Sequence, residues 1–535
     1  MQNYTVTITP EGTTLRARAG TSLADVLRGS DILINLPCGG EGRCGRCRVT
    51  ILNGVAPPTP EDLRHIPGPD IKRGERLACR LTVTGDMTID IPASARVAGT
   101  GASWEEVTVL SERPASAEGL ALAVDLGTTS IAAALIALPT GKVLAHASAL
   151  NPQAAFGADV ISRINAVIKD HGTLSLQQSL AARAIVEIME KLSRRLGLSL
   201  SHIREVAIAG NPTMEHLFLG KDPTPIAYAP FTPGFRKAQR STASVLGLEV
   251  DSKAAVWVFP ILSGYVGGDT MAFIWSSRIH ESDEMILGLD IGTNGEIVLG
   301  NKERLLACST AAGPAFEGSH ITDGMRADTG AIEAVTVIGD EVKLAVKGNV
   351  PPRGICGSGL FDAVSEMRRN GLINSAGRIT VDSAPTGLRE RIVAENGSRR
   401  FILFSDQSRS IGITQKDIRE IQLAKGAMHA GIRVLLAEME IAWEDIDRIL
   451  VAGAFGNYLK PESIVGVGML PASLEQKIVF VGDAALSGAI EAVRSSRTKE
   501  GIEELAGRIG YIELSADKRF NDVFISSLLF EDLSR

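Results

Sequence analysis

The sequence predicts a multidomain protein of mixed α/β and α+β class: a small β-rich domain, a linker and a two-lobed α/β body. Three observations predict it. The chain has 535 residues, more than one hydrophobic core organises. Residues 1–93 alternate apolar and polar positions in short runs, the pattern of half-buried strands, around a glycine-rich loop with three of the chain's six cysteines. A wholly apolar strand ending in Asp-x-Gly-Thr occurs twice, at Asp125 and again at Asp290.

Composition narrows the function classes. Hydrophobic residues make up 44% and charged residues 22%, as in ordinary globular proteins. The formal net charge is -7 and the pI about 5.8, so no basic footprint for nucleic acid is expected. No run approaches the ~20 apolar residues of a membrane span, so no membrane partner is expected either. Met1 to Pro10 reads as a strand and not as a secretory signal. Six cysteines, four of them in one region, suit a reducing cytoplasm.

In the first domain, Tyr4–Ile8 and Thr14–Ala17 flank the turn Pro10-Glu11-Gly12 as a hairpin. Ser22–Leu27 reads as a short helix capped by Thr21 or Ser22. Further strands are expected at Cys47–Ile51, Leu81–Thr84 and Met87–Pro92. Between them lies Cys38-Gly39-Gly40-Glu41-Gly42-Arg43-Cys44-Gly45-Arg46-Cys47, with Cys79 following later. Four thiolates are what a [2Fe–2S] cluster needs, and the glycines let backbone amides point at sulfur. Structural zinc would pair cysteines two to four residues apart in both halves, and Cys79 has no such neighbour. Disulfides belong to oxidising compartments. The candidate metal ligands are therefore Cys38, Cys44, Cys47 and Cys79. The spacing resembles that of vertebrate and bacterial ferredoxins, and the element order resembles their β-grasp fold.

Residues 94–118 are rich in Ala, Gly, Ser and Pro and read as a flexible linker, with a strand expected at Val107–Leu110. The body is divided into a first lobe, 119–284, and a second, 285–535. In the first, Leu120–Leu126 leads into Gly127-Thr128-Thr129 and a returning strand from Ile131 to Leu138. In the second, Ile286–Ile291 leads into Gly292-Thr293-Asn294-Gly295, with Glu296 opening the return. Such hairpin tips expose N–H groups and hydroxyls that cradle phosphate oxygens. Asp125 and Asp290 can hold Mg²⁺ through its retained water. A third element, Ile446–Ala452, runs into Gly453-Ala454-Phe455-Gly456, where a purine and ribose could approach backbone closely.

Other elements follow from periodicity and caps. Helices are expected at 158–169, 177–196, 212–219, about 360–369, and 414–439 with Thr414 as cap. Strands are expected at 206–211 and 256–262. The turn Gly267-Gly268-Asp269 opens another helix, in which Asp269 is either a plain cap or an acidic group near the phosphates. Val479–Gly482 and the helix after Asp483 form a similar pair. Lys425 reads as solvated or as reaching a nucleotide. Cys308 and Cys356 stand apart from other cysteines, as buried apolar residues do.

The two phosphate hairpins and the adenosine turn, in this order, resemble the actin/Hsp70/sugar-kinase ATPase superfamily, with its RNase H-like lobes, over 120–535. Placed behind a [2Fe–2S] domain, they resemble the reductive activators of corrinoid-dependent methyltransferases. Four local sequences carry that likeness: Cys-Gly-Gly-x-Gly-x-Cys-Gly-x-Cys, Leu-Asp-Ile-Gly-Thr-Asn-Gly-Glu, Ile-Cys-Gly-Ser-Gly and Val-Ala-Gly-Ala-Phe-Gly. No cysteine follows Cys356, which matches the branch with an N-terminal [2Fe–2S] domain.

The resemblance implies ATP-dependent transfer of an electron from a low-potential donor, through the cluster, to the inactive Co(II) corrinoid of a methyltransferase or corrinoid protein. It implies ATP, Mg²⁺ and a [2Fe–2S] cluster as cofactors, and a homodimer. Asp125, Asp269, Asp290 and Glu296 would be the catalytic acids. Gly127, Thr128, Thr129, Gly292, Thr293, Asn294, Gly295, Gly453, Ala454 and Gly456 would hold the nucleotide. Two other classes share parts of the pattern: a sugar or acyl kinase with a redox-sensing domain, and an activator of 2-hydroxyacyl-CoA dehydratase type. The latter would need paired cysteines for a [4Fe–4S] cluster shared between subunits. A nucleotide-gated binding module without turnover is a third.

Overall fold

The computed structural model describes the chain except for residues 1, 31, 98–106, 112–118, 293, 319–320, 382–383, 396, 408, 454–458 and 531–535. Two compact units emerge. One holds residues 1–269 with 489–499, the other 270–488 with 500–535. Among the described residues no helix is long and apolar enough to cross a membrane.

The N-terminal domain is a five-stranded mixed sheet in the order Thr13–Arg18, Asn3–Thr9, Met87–Asp90, Arg48–Asn53, Glu75–Leu77. Its first and last strands in sequence, Asn3–Thr9 and Met87–Asp90, run parallel at the centre. This central pairing buries Val6, Ile8 and Ile89 completely, so alternate residues of both strands supply the core. Ser22 caps the helix Leu23–Arg28 by accepting from the Asp25 N–H. Two helices were not legible in the sequence, Pro60–His65 and Gly68–Lys72. Thr59 and Asp62 form a capping box at the first of them, and buried Asp62 also accepts from the Leu77 N–H at 2.7 Å. The strand expected at Leu81–Thr84 is reduced to a single bridge between Ser22 and Thr82, and the edge strand is Glu75–Leu77 instead.

The rest of the first unit is built on a seven-stranded sheet in the order Gln239–Thr242, Ala255–Val258, Ile203–Gly210, Leu120–Leu126, Ser130–Ala137, Lys142–Leu150, Thr108–Val109. The second unit has a six-stranded sheet in the order Ile478–Gly482, Arg448–Ala452, Ile286–Ile291, Gly295–Gly300, Leu305–Thr310, Ile509–Tyr511. The two share one plan. A first strand makes an antiparallel meander with the next two, and on its other side it pairs in parallel with a strand reached by a crossover. The internal repeat seen in sequence is therefore a repeat of the sheet, with the Asp-x-Gly-Thr turns in equivalent places.

The helices expected from periodicity are present at Val160–Lys169, Thr173–Leu196, Pro212–Phe218, Gly357–Arg369 and Gln415–Met439. Thr414 caps the last through a capping box with Asp417.

The linker expectation changes in its described part. Val97 is buried with Leu33, Ala155, Phe156 and Leu180 in a small apolar cluster. Thr108–Val109 adds to the edge strand Lys142–Leu150. Residues 98–106 and 112–118 of the linker lie outside the described residues. Lys425 is neither solvated nor turned to a nucleotide. It is 1% exposed, donates to the Leu529 carbonyl and sits 5.3 Å over the Phe530 ring, pinning the C-terminal segment.

Candidate functional site: a paired-thiol loop and two equivalent hairpins

The four cysteines of the N-terminal domain meet as two pairs. Cys47 Sγ donates to Cys79 Sγ at 3.4 Å, and Cys38 accepts a bond from the Cys44 thiol. All four are free thiols. The Cys44 bond holds Cys38 down to about 4, helped by the N–H groups of Arg43, Cys44 and Glu41. The same bond, with burial, pushes Cys44 up. Cys47 is likewise pushed up by its bond to Cys79 and by burial, and Cys79 is lowered by that bond. Metal binding needs these sulfurs as thiolates, so a metal would displace the thiol protons of both pairs.

Two thiols at each of two neighbouring points, ringed by amides, form a donor set that fits a [2Fe–2S] centre, with two cysteines for each iron. The backbone is shaped to match. A Cβ at Gly45 (φ +67°) would fall 2.9 Å from His65 Cβ, so only glycine lets the loop close there. Arg80 holds the far side by donating to the Glu41 carbonyl.

Asp125 and Asp290 occupy equivalent places. Each is the one half-buried residue in a strand whose other residues are buried. At the first tip, Asn151 Nδ2 donates to the Gly127 carbonyl at 2.8 Å, and Arg163 Nη2 donates to the Thr128 carbonyl at 2.5 Å. Asn211 Nδ2 donates to Thr128 Oγ1 at 2.8 Å, while its Oδ1 caps the helix Pro212–Phe218. Thr129 closes against the Asn151 N–H through its carbonyl.

At the second tip, Asp290 faces Glu296 across the strand pair, and the Gly292 N–H donates to the Asn294 carbonyl at 3.0 Å. Glu296 is 7% exposed and accepts from Ser309 Oγ at 3.3 Å. Gly295 is pressed against Met428 and Thr310, so the long helix backs this hairpin. Gly453 (φ +98°) lies so close that a Cβ there would be 2.9 Å from Asp290 Oδ1. That brings the start of the glycine turn onto the second hairpin. Thr293, Ala454 and Gly456 lie outside the described residues.

Asp269 lies in the first turn of the helix Gly268–Ser276. Beside it stands a residue that sequence reasoning missed. Glu215 is fully buried, accepts from the Gly210 N–H at 3.2 Å, and packs on Gly268. Burial, then the Asp269 charge, pushes its carboxyl well above the usual range. Cys308 and Cys356 are both buried; burial pushes the Cys308 thiol up, and Cys356 Sγ donates to the Ile332 carbonyl at 3.3 Å.

Known proteins match this arrangement along its whole length. A family described as "2Fe-2S iron-sulfur cluster binding domain" matches residues 6–84. "RACo middle region" matches 120–282, and "C-terminal domain of RACo the ASKHA domain" matches 284–534. The chain is 35% identical over 422 residues to a corrinoid activation enzyme, RamQ, of Eubacterium limosum, covering 77% of this chain and 70% of that one. It is 26% identical over 442 residues to a [Co(II) methylated amine-specific corrinoid protein] reductase of Methanosarcina barkeri, covering 76% of each. Among solved structures, a reductive activator for a corrinoid, iron-sulfur protein superposes with a TM-score of 0.70 at 31% identity over 98% of both chains. The iron-sulfur domain, the duplicated ATPase-type sheet and these likenesses agree: the chain belongs to the family of reductive activators of corrinoid proteins.

Proposed function

We propose that the protein is an ATP-dependent activase. One electron passes from a low-potential donor, by way of the N-terminal domain, to the Co(II) corrinoid of a partner protein, which becomes Co(I). ATP is hydrolysed to ADP and phosphate in the process. The carrying observation is the presence, in one chain, of four thiols in two pairs and a duplicated Asp-x-Gly-Thr hairpin.

Cys38, Cys44, Cys47 and Cys79 would hold the [2Fe–2S] cluster, which supplies one-electron chemistry at about −400 mV when of plant type. The loop amides stabilise negative charge on the sulfurs. Asp125 and Asp290 would hold Mg²⁺ through water, with Thr128 and the amides of both hairpin tips taking phosphate oxygens. Gly453, with Ala454 and Gly456, would take the adenosine. Asp269 and Glu296 are the candidate acids for orienting the attacking water, and Asp269 acts electrostatically on buried Glu215, whose carboxyl burial and that charge push up. Nucleotide binding supplies the free energy to favour a conformation in which reduction of the partner's cobalt is no longer uphill. The working form would be a cytoplasmic homodimer.

The test is the Co(I) absorbance of a corrinoid protein partner under a mild reductant, with and without MgATP. Co(I) should accumulate only with MgATP and the wild-type chain. Asp290→Ala should abolish the ATP-dependent part while the N-terminal domain still accepts an electron from dithionite. Equal Co(I) with and without MgATP would overturn the reading.

A further inference from the structure

The segment 151–169 touches both the first phosphate hairpin and the cysteine loop. At the hairpin, Asn151 and Arg163 hold the carbonyls of Gly127 and Thr128. Arg163 is 0% exposed, and its other donors tie the segment to itself and to the helix Pro212–Phe218: Nε to the Gly157 carbonyl at 3.1 Å, Nη1 to Gln153 Oε1 at 3.2 Å and to Met214 Sδ at 3.0 Å. A guanidinium with this many fixed acceptors has one position available.

One residue before Arg163, the same helix meets the cysteine loop. A Cβ at Gly39 would stand 3.6 Å from Ser162 Cβ and from the Phe156 carbonyl oxygen. The Ala158 N–H donates to the Pro37 carbonyl at 3.1 Å, beside Cys38. Arg28 donates to the Ala155 carbonyl at 3.3 Å and lies 5.4 Å over the Phe156 ring. At the helix end Lys169 Nζ pairs with Glu41 Oε1 at 2.6 Å. A cavity of about 480 Å³ separates the remaining surfaces and is lined by Cys38, Glu41, Ser162 and Lys169. Buried Phe156, Val97 and Leu33 seal the contact.

We propose that residues 151–169 are a rigid strut between the nucleotide and the iron-sulfur centre, and that Arg163 is the positioning residue through which each senses the other. This rests on the reading that the first hairpin takes ATP phosphates and the paired thiols a [2Fe–2S] cluster. A packed element that both sites bias is the physical requirement for coupling. Coupling in binding is reciprocal, so the nucleotide must change the ease of cluster reduction by the factor by which reduction changes nucleotide affinity. The sign follows from charge. MgATP brings net negative charge to this unit, so it binds more tightly to the oxidised form and makes the reduced form a stronger donor. A tenfold preference corresponds to about 59 mV in midpoint potential for a one-electron couple.

The experiment is a spectroelectrochemical titration of the full-length, cluster-loaded protein, without any corrinoid protein, in the presence and absence of a non-hydrolysable MgATP analogue. The wild type should show a lower potential with the analogue, and about tenfold weaker analogue binding after reduction. Arg163→Lys should retain the visible spectrum and lose the shift. In case that buried variant does not fold, the exposed end of the strut gives a second measurement. Lys169→Glu should lose at least half of the shift, and adding Glu41→Lys in the same chain should restore it. A wild-type potential indifferent to the analogue, a full shift in folded Arg163→Lys, or a full shift in Lys169→Glu would each overturn the strut. If Co(I) formation on a corrinoid partner still requires MgATP in that event, the activase reading stands and its coupling lies elsewhere.

Discussion

Replacing Asn211 by aspartate separates folding from phosphate binding at the first hairpin. Asn211 is 8% exposed and does two jobs: Oδ1 accepts from the Met214 N–H at 3.0 Å, and Nδ2 donates to Thr128 Oγ1 at 2.8 Å. Aspartate keeps the cap, and its charge at a helix N-terminus favours the fold by about 0.3–1 kcal/mol. The Thr128 hydroxyl has a single proton. With the Asn211 amide as donor, that proton is available to a phosphate oxygen. With a carboxylate in its place, which only accepts, the proton turns inward.

Loss of a hydrogen bond to a charged oxygen costs about 1.5–3 kcal/mol. A carboxylate roughly 6 Å from a phosphate, at an effective dielectric of about 20, adds a repulsion near 3 kcal/mol. The two overlap, so about 3 kcal/mol, or about a hundredfold in Kd for MgATP, is the expected loss. Calorimetric titration with a non-hydrolysable analogue measures it, alongside thermal unfolding. Asn211→Ala should instead lose stability, by about 1 kcal/mol for the cap alone. Asn211→Asp with wild-type stability and wild-type nucleotide affinity would refute the placement of phosphates at Thr128.

Two further outcomes are expected. Cys79→Ser should abolish the visible iron-sulfur spectrum in a chain that still folds and still binds MgATP, since Cys79 belongs with the paired thiols and not with the hairpins; a preserved spectrum refutes the ligand set. Burial holds the His429 imidazole down to about 4, its ring stacked on Trp443. The folded pKa is below the unfolded one, so the unfolded chain takes the proton first. Stability is then full above about pH 6.5 and falls with acidification toward pH 4, by up to about 3 kcal/mol. Urea unfolding at pH 7 and pH 5 should show about 2 kcal/mol more acid loss in the wild type than in His429→Gln, and an identical loss would refute it.

The two Asp-x-Gly-Thr hairpins were legible because strand burial and turn chemistry are both local. An unbroken apolar run ending in Asp-x-Gly-Thr signals a buried strand and a tight turn, and Asp125 and Asp290 are the half-buried residues of those strands. The cysteines were legible from type and spacing, and the long helices from their periodicity, with Thr414 as the cap of one. What supports these groups was not legible. Nothing local marks Arg163 on its helix as buried, because Thr128 and Met214 converge on it from separate segments. Glu215, in a short helix after a proline, gives no sign that it will be buried against Gly268. The seating of Val97 beside Phe156 and Leu180 joins residues too distant in sequence for any period to relate them. Lys425 misled for the same reason: its acceptor, the Leu529 carbonyl, comes from the last turns of the chain.

The short return of residues 489–499 into the first unit has a consequence for biosynthesis. Arg494 Nε donates to the Gly141 carbonyl at 2.8 Å, and Lys499 pairs with Glu205 and lies 6.0 Å from the Trp257 ring. These partners have left the ribosome long before Arg494 is made. At about 5–20 residues per second, the roughly 220 intervening residues take about 10–40 s to synthesise. During that interval the nascent first unit has an open seam along Glu205 and Trp257, and the second unit is made as an insertion into it. The order of maturation is therefore nested, the outer unit being the first to start and unable to finish until the inner one is nearly complete.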